Sequence, residues 1–298
     1  MLPPRGTVEK TITDEQLAAV MTPSERSDKI RATLANLDTT LNPLVDLLQP
    51  FIDGTDHLAH DGRFLLVGNH TQSFAEVLLI SHCLHRELGV RVRPLAERGI
   101  SRARGFQKDF VAAYGGVIGH PETARELMQN NETVLVFPGG GREIAKFRGE
   151  EYQLRWDGRS GFARVAIDNG YPIVPVGLVG GDDIYRSLTT RESLVGRLNR
   201  GLSQKLTGRA DMTMPLVRGI GPTLFPRPER MYLRFGPAID TTPPADMEPT
   251  EWVETIRTRS KDSLEQILAD LQAIRASDPY RHLNPLAWPK AARPAAAS

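Results

Sequence analysis

An α/β fold with a mostly parallel sheet flanked by helices is expected from two features of the chain. Short apolar runs alternate with stretches of helical periodicity, and several of the runs stop abruptly at Gly or Pro, as strands do where they give way to a turn. The 298 residues, 40% hydrophobic and 24% charged, suit one large domain, and no internal repeat is visible.

Residues 1–27 are polar and Pro-containing, with a short helix expected over 14–21. Across 27–48, Ile30, Leu34, Leu37, Leu41, Leu44, Val45 and Leu48 recur at intervals of mostly three and four, which predicts an amphipathic helix bent near Pro43 and packed on the sheet. Segment 53–62 places His57 and His60 among Asp53, Asp56 and Asp61. With no second ligand cluster, a solvated loop is expected there rather than a metal site.

Strands are predicted over 64–67, 90–95, 133–137, 173–179, 212–218 and 230–235, and helices over 74–88, 121–129, 160–169 and 250–276. The polar segment 1–27, a domain over 28–276 and a low-complexity, poorly ordered tail over 277–298 complete the expected organisation.

The net charge of +1 selects no class of partner, and nothing points to nucleic acid. Cys83, the only cysteine, lies in an apolar stretch and reads as a buried small hydrophobe. The start, Met-Leu-Pro-Pro-Arg-Gly, has no apolar core of a secretory signal, and the longest run without Asp, Glu, Lys or Arg is 13 residues, over 169–181. A bilayer-spanning helix needs about 20 apolar residues, so a cytoplasmic protein that lies on a membrane rather than crossing it is expected.

The stretch 64–76, Phe-Leu-Leu-Val-Gly-Asn-His-Thr-Gln-Ser-Phe-Ala-Glu, puts His70 in a strand-to-helix connection. In open α/β sheets, ligands bind at such connections at the carboxyl ends of strands. Glu76 falls in the first helical turn, near enough to fold back and fix the tautomer of a general-base histidine. A hydrogen-bonded loop histidine without chemistry is the plainer alternative.

A second stretch, Val-Leu-Val-Phe-Pro-Gly-Gly-Gly-Arg-Glu over 134–143, runs a buried strand into three glycines. Their bare backbone N–H groups suit an oxyanion or phosphate, and Arg142 adds a planar cation. The absence of a following Gly-Lys-Ser/Thr excludes a nucleotide P-loop. Charged neighbours at Glu143, Lys146 and Arg148 equally suit a solvated helix start. The third stretch, Tyr-Pro-Ile-Val-Pro-Val over 171–176, reads as a strand with restricted ends.

Taken together, the order and spacing of these stretches resemble the lysophospholipid/glycerolipid acyltransferase superfamily. The likeness covers about 64–240, with the histidine-acid motif at 69–76, the segment preceding the second motif at 115–118, the third motif at 137–143 and the fourth at 172–176. The pieces at 152–156, 159–163 and 233–240 resemble the diacylglycerol acyltransferase-like or phytyl-ester-synthase-like branch. The resemblance implies transfer of a fatty acyl group from acyl-CoA or an acyl carrier protein to a lipid alcohol, with no further cofactor and no metal. His70 and Glu76 would then be catalytic, and Gly139, Gly140, Gly141, Arg142, Glu143 and Pro175 would bind substrate.

This chain departs from the commoner family pattern in three places. The acid stands six residues after His70, at Glu76, because Ala75 occupies the usual position. Gly139 and Gly141 replace the acid and threonine of the third motif, and His120-Pro121-Glu122 replaces the second motif's arginine. The last two changes lean toward a neutral alcohol acceptor. A non-catalytic lipid-binding scaffold on the same fold is the alternative.

Leu194, Leu198, Leu202 and Leu206 recur every four residues. Arg191, Arg197, Arg200, Lys205 and Arg209 against Glu192 leave that segment a net charge of +4. The stripe suits either packing on the core or contact with an anionic membrane. Leu224 and Phe225, in the Gly/Pro loop at 219–226, are a second candidate contact.

Overall fold

The computed structural model describes residues 48–73, 75–96, 117–198, 213 and 215–294. In chain order the strands are β1 (Phe51–Asp53), β2 (Leu65–Gly68), β3 (Val92–Ala96), β4 (Val117–Ile118), β5 (Thr133–Val136), β6 (Ile173–Val179), β7 (Arg186–Ser187), β8 (Val217–Arg218) and β9 (Tyr232–Phe235). The α-helices are α1 (Ala75–Leu88), α2 (Pro121–Gln129), α3 (Gly141–Ile144), α4 (Gly161–Asp168) and α5 (Pro249–Ser277).

Seven strands form one sheet in the order β1-β9-β6-β2-β5-β3-β4, while β7 and β8 pair separately. Only the β6–β9 junction is antiparallel within the large sheet, so β1 and β9 run against the other five. Both sheet faces are covered, which is why the central strands are apolar on both sides. Leu65 and Val67 of β2 pack with α2, α4 and α5, and Phe64 and Leu66 pack on the opposite face with Leu79, Ile80, Cys83 and Leu84 of α1. Burial pushes the Cys83 thiol up to about 12, so it behaves as the inert hydrophobe expected from its neighbours.

Pro175 sits in a central strand because of a local irregularity. Val176 pairs with Phe235 and Ile173 bridges Ile239, so two residues of β6 oppose three that follow β9. Pro175, whose carbonyl accepts from Gly236 N–H at 2.8 Å, meets that bulge where no ladder donor is required of it. Helix α5 docks over β6 by setting Ile267 into the dent left by Gly177.

Several expectations are corrected. Residues 278–292 do not form a loose tail: buried Asp278 accepts from Arg230 Nη1 at 2.6 Å and Tyr232 OH at 2.7 Å, and Arg230 also donates to the Ala292 carbonyl. The strand predicted over 212–218 is, among the described residues, only Val217–Arg218, and it lies in the separate two-stranded sheet. The short elements β1, β4, β7 and α3 escaped the periodicity. In the loop at 53–62, His57 Nδ1 meets the Phe235 carbonyl at 2.9 Å. The helix expected over 14–21, and all but Leu48 of the one expected over 27–48, lie outside the described residues.

A Cβ on Gly177 would fall 2.6 Å from Ile267 Cγ2, so Gly177→Ala is expected to cost about 1–3 kcal/mol by overpacking the β6–α5 contact. Urea unfolding checks this, and the cost of Gly177→Ala should shrink in an Ile267→Ala background, where Cγ2 is gone.

Candidate active site

The carboxyl ends of β2, β5 and β6 meet because β2 lies between the other two and runs parallel to both. The segments that leave these ends are Asn69–Gln72, Phe137–Gly141 and Gly180–Asp183, and they build one constellation. Asn69 is buried and binds the β6 backbone twice, donating to the Leu178 carbonyl at 3.0 Å and accepting from Leu178 N–H at 2.9 Å. It carries the chain off the sheet in a fixed direction.

His70 follows, its ring stacked on Phe137 with centroids 4.5 Å apart and planes 13° from parallel. Helix α1 starts at Ala75, which puts Glu76 in its first turn with its carboxylate folded back over the loop. His70 Nδ1 is hydrogen-bonded to Glu76 Oε1. The same carboxylate accepts from Thr71 Oγ1 at 2.5 Å and Thr71 N–H at 3.2 Å. Glu76 is fully buried, and the His70 side chain remains 11% exposed. A carboxylate on Nδ1 holds the proton on that nitrogen and directs the lone pair to Nε2.

Buried charges hold both sides of the His70 backbone. Its N–H donates to Glu143 Oε2 at 2.9 Å, and its carbonyl accepts from Lys146 Nζ at 2.9 Å. Lys146 also pairs with Asp182 at 2.6 Å, and neither side chain is exposed. Asp182 further accepts from Tyr152 N–H at 3.0 Å and Gln72 N–H at 3.3 Å. Desolvation pushes the Asp182 carboxyl upward against the pull of Lys146, and burial likewise raises Glu143. Tyr152, held at a φ of 60°, donates its phenol to Asp183 at 2.5 Å; desolvation and the two aspartates raise that phenol.

Glu143 and Lys146 are therefore not a solvated helix start. Glu143 also accepts from Arg155 N–H at 2.9 Å, so its carboxylate is spent behind the loop rather than turned toward a ligand. Of that charged run, Arg148 alone is exposed. The glycine turn explains its own composition. A Cβ on Gly139 would lie 2.2 Å from Glu143 Oε1, so the missing acid at 139 and the acid at 143 are one arrangement. Gly140 has a φ of 55°, and its N–H closes the turn on the Phe137 carbonyl at 2.9 Å. Arg159 binds the carbonyls of Pro138 and Gly139, at 2.9 and 3.2 Å, and fixes the turn from outside.

Arg142 lies at the rim, donating to Asp157 at 2.8 Å. Pro175 is buried in the sheet, in register with Val67. Leu194 and Leu198 are 77% and 73% exposed and do not pack on the core; Leu224 and Phe225 are each 68% exposed. Leu202 and Leu206 lie outside the described residues. Sequence reasoning missed Asn69, Thr71, Tyr152 and Asp182. The available signal for Asp182 was its place just past the end of a strand next to β2.

A family model described as Acyltransferase matches residues 49–179. The chain is 30% identical over 269 residues to phytyl ester synthase 2, chloroplastic, of Arabidopsis thaliana, covering 80% of this chain and 37% of that protein. Residues 49–179 form an acyltransferase-family domain. A Bos taurus enzyme synthesizing storage lipids is 26% identical over 137 residues, 46% of this chain and 40% of that protein. The chain thus spans well under half the length of these two relatives. Among solved structures, the 1-acyl-sn-glycerophosphate acyltransferase PlsC of Thermotoga maritima matches with a TM-score of 0.42 and 15% identity, covering 85% of this chain and 87% of that one.

Two outcomes follow from the geometry. Asp182→Ala leaves Lys146 charged and buried, so a loss of about 3–5 kcal/mol is expected in chemical unfolding, against little loss for the surface change Asp157→Ala. Glu150 binds Arg191, Arg155 and Phe147 N–H; these bonds outweigh desolvation and hold its carboxyl down at about 2, below its ordinary 4.5. A depressed folded-state value stabilises fully above pH 4.5 and is lost as pH falls toward 2. The stability gap between wild type and Glu150→Gln should accordingly close across that window; a constant gap contradicts the assignment.

Proposed function

We propose that the protein is an O-acyltransferase that moves a fatty acyl group from acyl-CoA, or an acyl carrier protein, to a neutral lipid alcohol. The observation that carries this reading is the contact between His70 Nδ1 and the buried Glu76 carboxylate at the carboxyl edge of the sheet. An alcohol is a weak nucleophile toward a thioester. His70 Nε2 takes the hydroxyl proton as the oxygen attacks the thioester carbonyl, and Glu76 stabilises the imidazolium that forms. The C–S bond then breaks, and the imidazolium returns its proton to the departing thiolate, leaving an ester and a free thiol.

The developing oxyanion needs donors near the glycine turn. Gly140 N–H is committed within the turn, so the N–H groups of Gly139 and Gly141 are assigned this role. Arg142 is proposed to meet the anionic part of the donor. Glu143, Lys146 and Asp182 are positioning residues that act through the His70 backbone.

The acceptor class rests on two supports. The third motif lacks the acid and threonine found in the commoner pattern. The relatives' names refer to phytyl esters and storage lipids. A long-chain alcohol or a glycerolipid with a free hydroxyl is therefore proposed. No helix among the described residues is long and apolar enough to cross a membrane. The protein is proposed to meet these substrates as a peripheral protein on a membrane surface.

In an assay of acyl-CoA with long-chain alcohols, His70→Ala is expected to lower kcat by about 10² to 10⁴ with the fold retained. Glu76→Gln should cost less, because an amide still orients the ring. Arg142→Ala should raise KM without lowering Tm. Near wild-type turnover by folded His70→Ala would contradict His70 as the base, whereas no turnover by the wild type across the alcohols would leave a lipid-binding scaffold.

A further inference from the structure

We infer that the β7–β8 pair, with the loop that follows β8, is a docking surface for an anionic phospholipid bilayer. The inference rests on the proposed use of lipid substrates, but its observations are separate from the His70 site. The described residues contain twelve exposed large hydrophobics, and eight lie between Leu188 and Phe225. Such concentration marks a contact surface rather than the scattered apolar exposure of ordinary proteins.

The pairing register shows how the surface is built. Arg186 faces Arg218, Ser187 faces Val217, and Leu188 N–H continues the ladder to the Leu216 carbonyl at 2.7 Å. Side chains alternate across a strand, so Arg186, Leu188, Leu216 and Arg218 share one face and Ser187 points the other way. Ser187 is buried and donates to the Lys146 carbonyl at 2.6 Å, whereas the four residues of the first face are all exposed. The inner face of the pair is thus joined to the residue that holds the His70 carbonyl, and the outer face is turned to the surroundings.

The loop that follows β8 is preformed. Gly219 N–H donates to the Thr223 carbonyl at 2.7 Å and Ile220 N–H to that of Phe225 at 2.8 Å. A Cβ on Gly219 would lie 1.8 Å from the Phe225 carbonyl oxygen, so only glycine closes this turn. It holds Ile220, Leu224 and Phe225 outward, all exposed. Helix residues 194–198 follow β7 and add Leu194 and Leu198.

The charge pattern selects the occupant. Two arginines directly opposite each other destabilise an antiparallel pair in water. Among the described residues neither Arg186 nor Arg218 has an acidic partner, and exposed Arg148 and Arg197 lie in the neighbouring segments. Anions placed between such arginines relieve the repulsion, and arginine binds phosphate oxygens through paired N–H groups. Apolar side chains that protrude, rather than line a groove, suit insertion below a layer of lipid phosphates. The bilayer would then meet the protein beside the loops that carry His70.

The test uses the full chain, with flotation on phosphatidylcholine vesicles and on phosphatidylcholine–phosphatidylglycerol vesicles. Wild type should bind the mixed vesicles at low salt, release at high salt and bind neutral vesicles more weakly. Arg186→Gln with Arg218→Gln should weaken binding roughly 30-fold, and Leu224→Asp with Phe225→Asp should abolish it. Both double variants change exposed residues, so Tm should hold, as should turnover of a short-chain acyl-CoA and alcohol in free solution.

Wild type that stays unbound, binding indifferent to lipid charge, or binding that survives both double variants would overturn the proposal. So would tight capture by an acidic carrier protein, lost in the same variants while vesicles are ignored. Loss of turnover in free solution by wild type would instead strike the acyltransferase reading, and the vesicle results would be unaffected.

Discussion

The site depends on a buried ion pair beneath a loop. Lys146 and Asp182 are both excluded from water, and each alone would carry a desolvation cost that their mutual attraction offsets only with good geometry and further hydrogen bonds. The surrounding structure supplies these bonds: the His70 carbonyl to Lys146, and the N–H groups of Tyr152 and Gln72 to Asp182. Satisfying the pair therefore fixes the segments that leave β2 and β6 relative to each other. Glu143 does the same from the β5 side through His70 N–H. A histidine in a strand-to-helix loop is ordinarily free to move, and here both ends of its own residue are anchored to groups that cannot leave.

Much of the scaffold was legible because its central strands are short, continuous apolar runs. The limits of α2 were set by Pro121 at its first position, and α5 showed its buried stripe in Trp252, Val253, Ile256, Leu264, Ile267 and Leu271. What was not legible arose from tertiary convergence. Lys146 sits in a run, Lys-Phe-Arg-Gly-Glu-Glu, that reads as solvated, and nothing local distinguishes it from Arg148. Only the parallel packing of β6 beside β2 brings Asp182 to it. The segment after α5 looked like low-complexity tail because its Ala and Pro residues carry no period. It is secured by Arg230, distant in sequence, through Asp278 and the Ala292 carbonyl.

Departures from the family pattern acquire physical reasons in three dimensions. The longer spacing between His70 and Glu76 is absorbed by the start of α1, whose first turn folds the carboxylate back to Nδ1. The absent acid at 139 leaves the space that the Glu143 carboxylate fills. The β7–β8 pair adds a second layer to this design, since one strand presents Ser187 to the Lys146 carbonyl and Arg186 to the outside. Chemistry and surface are thereby separated by a single side-chain alternation.

The most direct test of the central claim is to follow the oxygen. Purified protein is incubated with one acyl-CoA and a long-chain alcohol whose hydroxyl carries heavy oxygen, and products are read by mass spectrometry. Acyl transfer by direct attack places the heavy oxygen in the ester, with one thiol released for each ester formed. Release of fatty acid without ester, or no reaction across a panel of alcohols, would contradict the account.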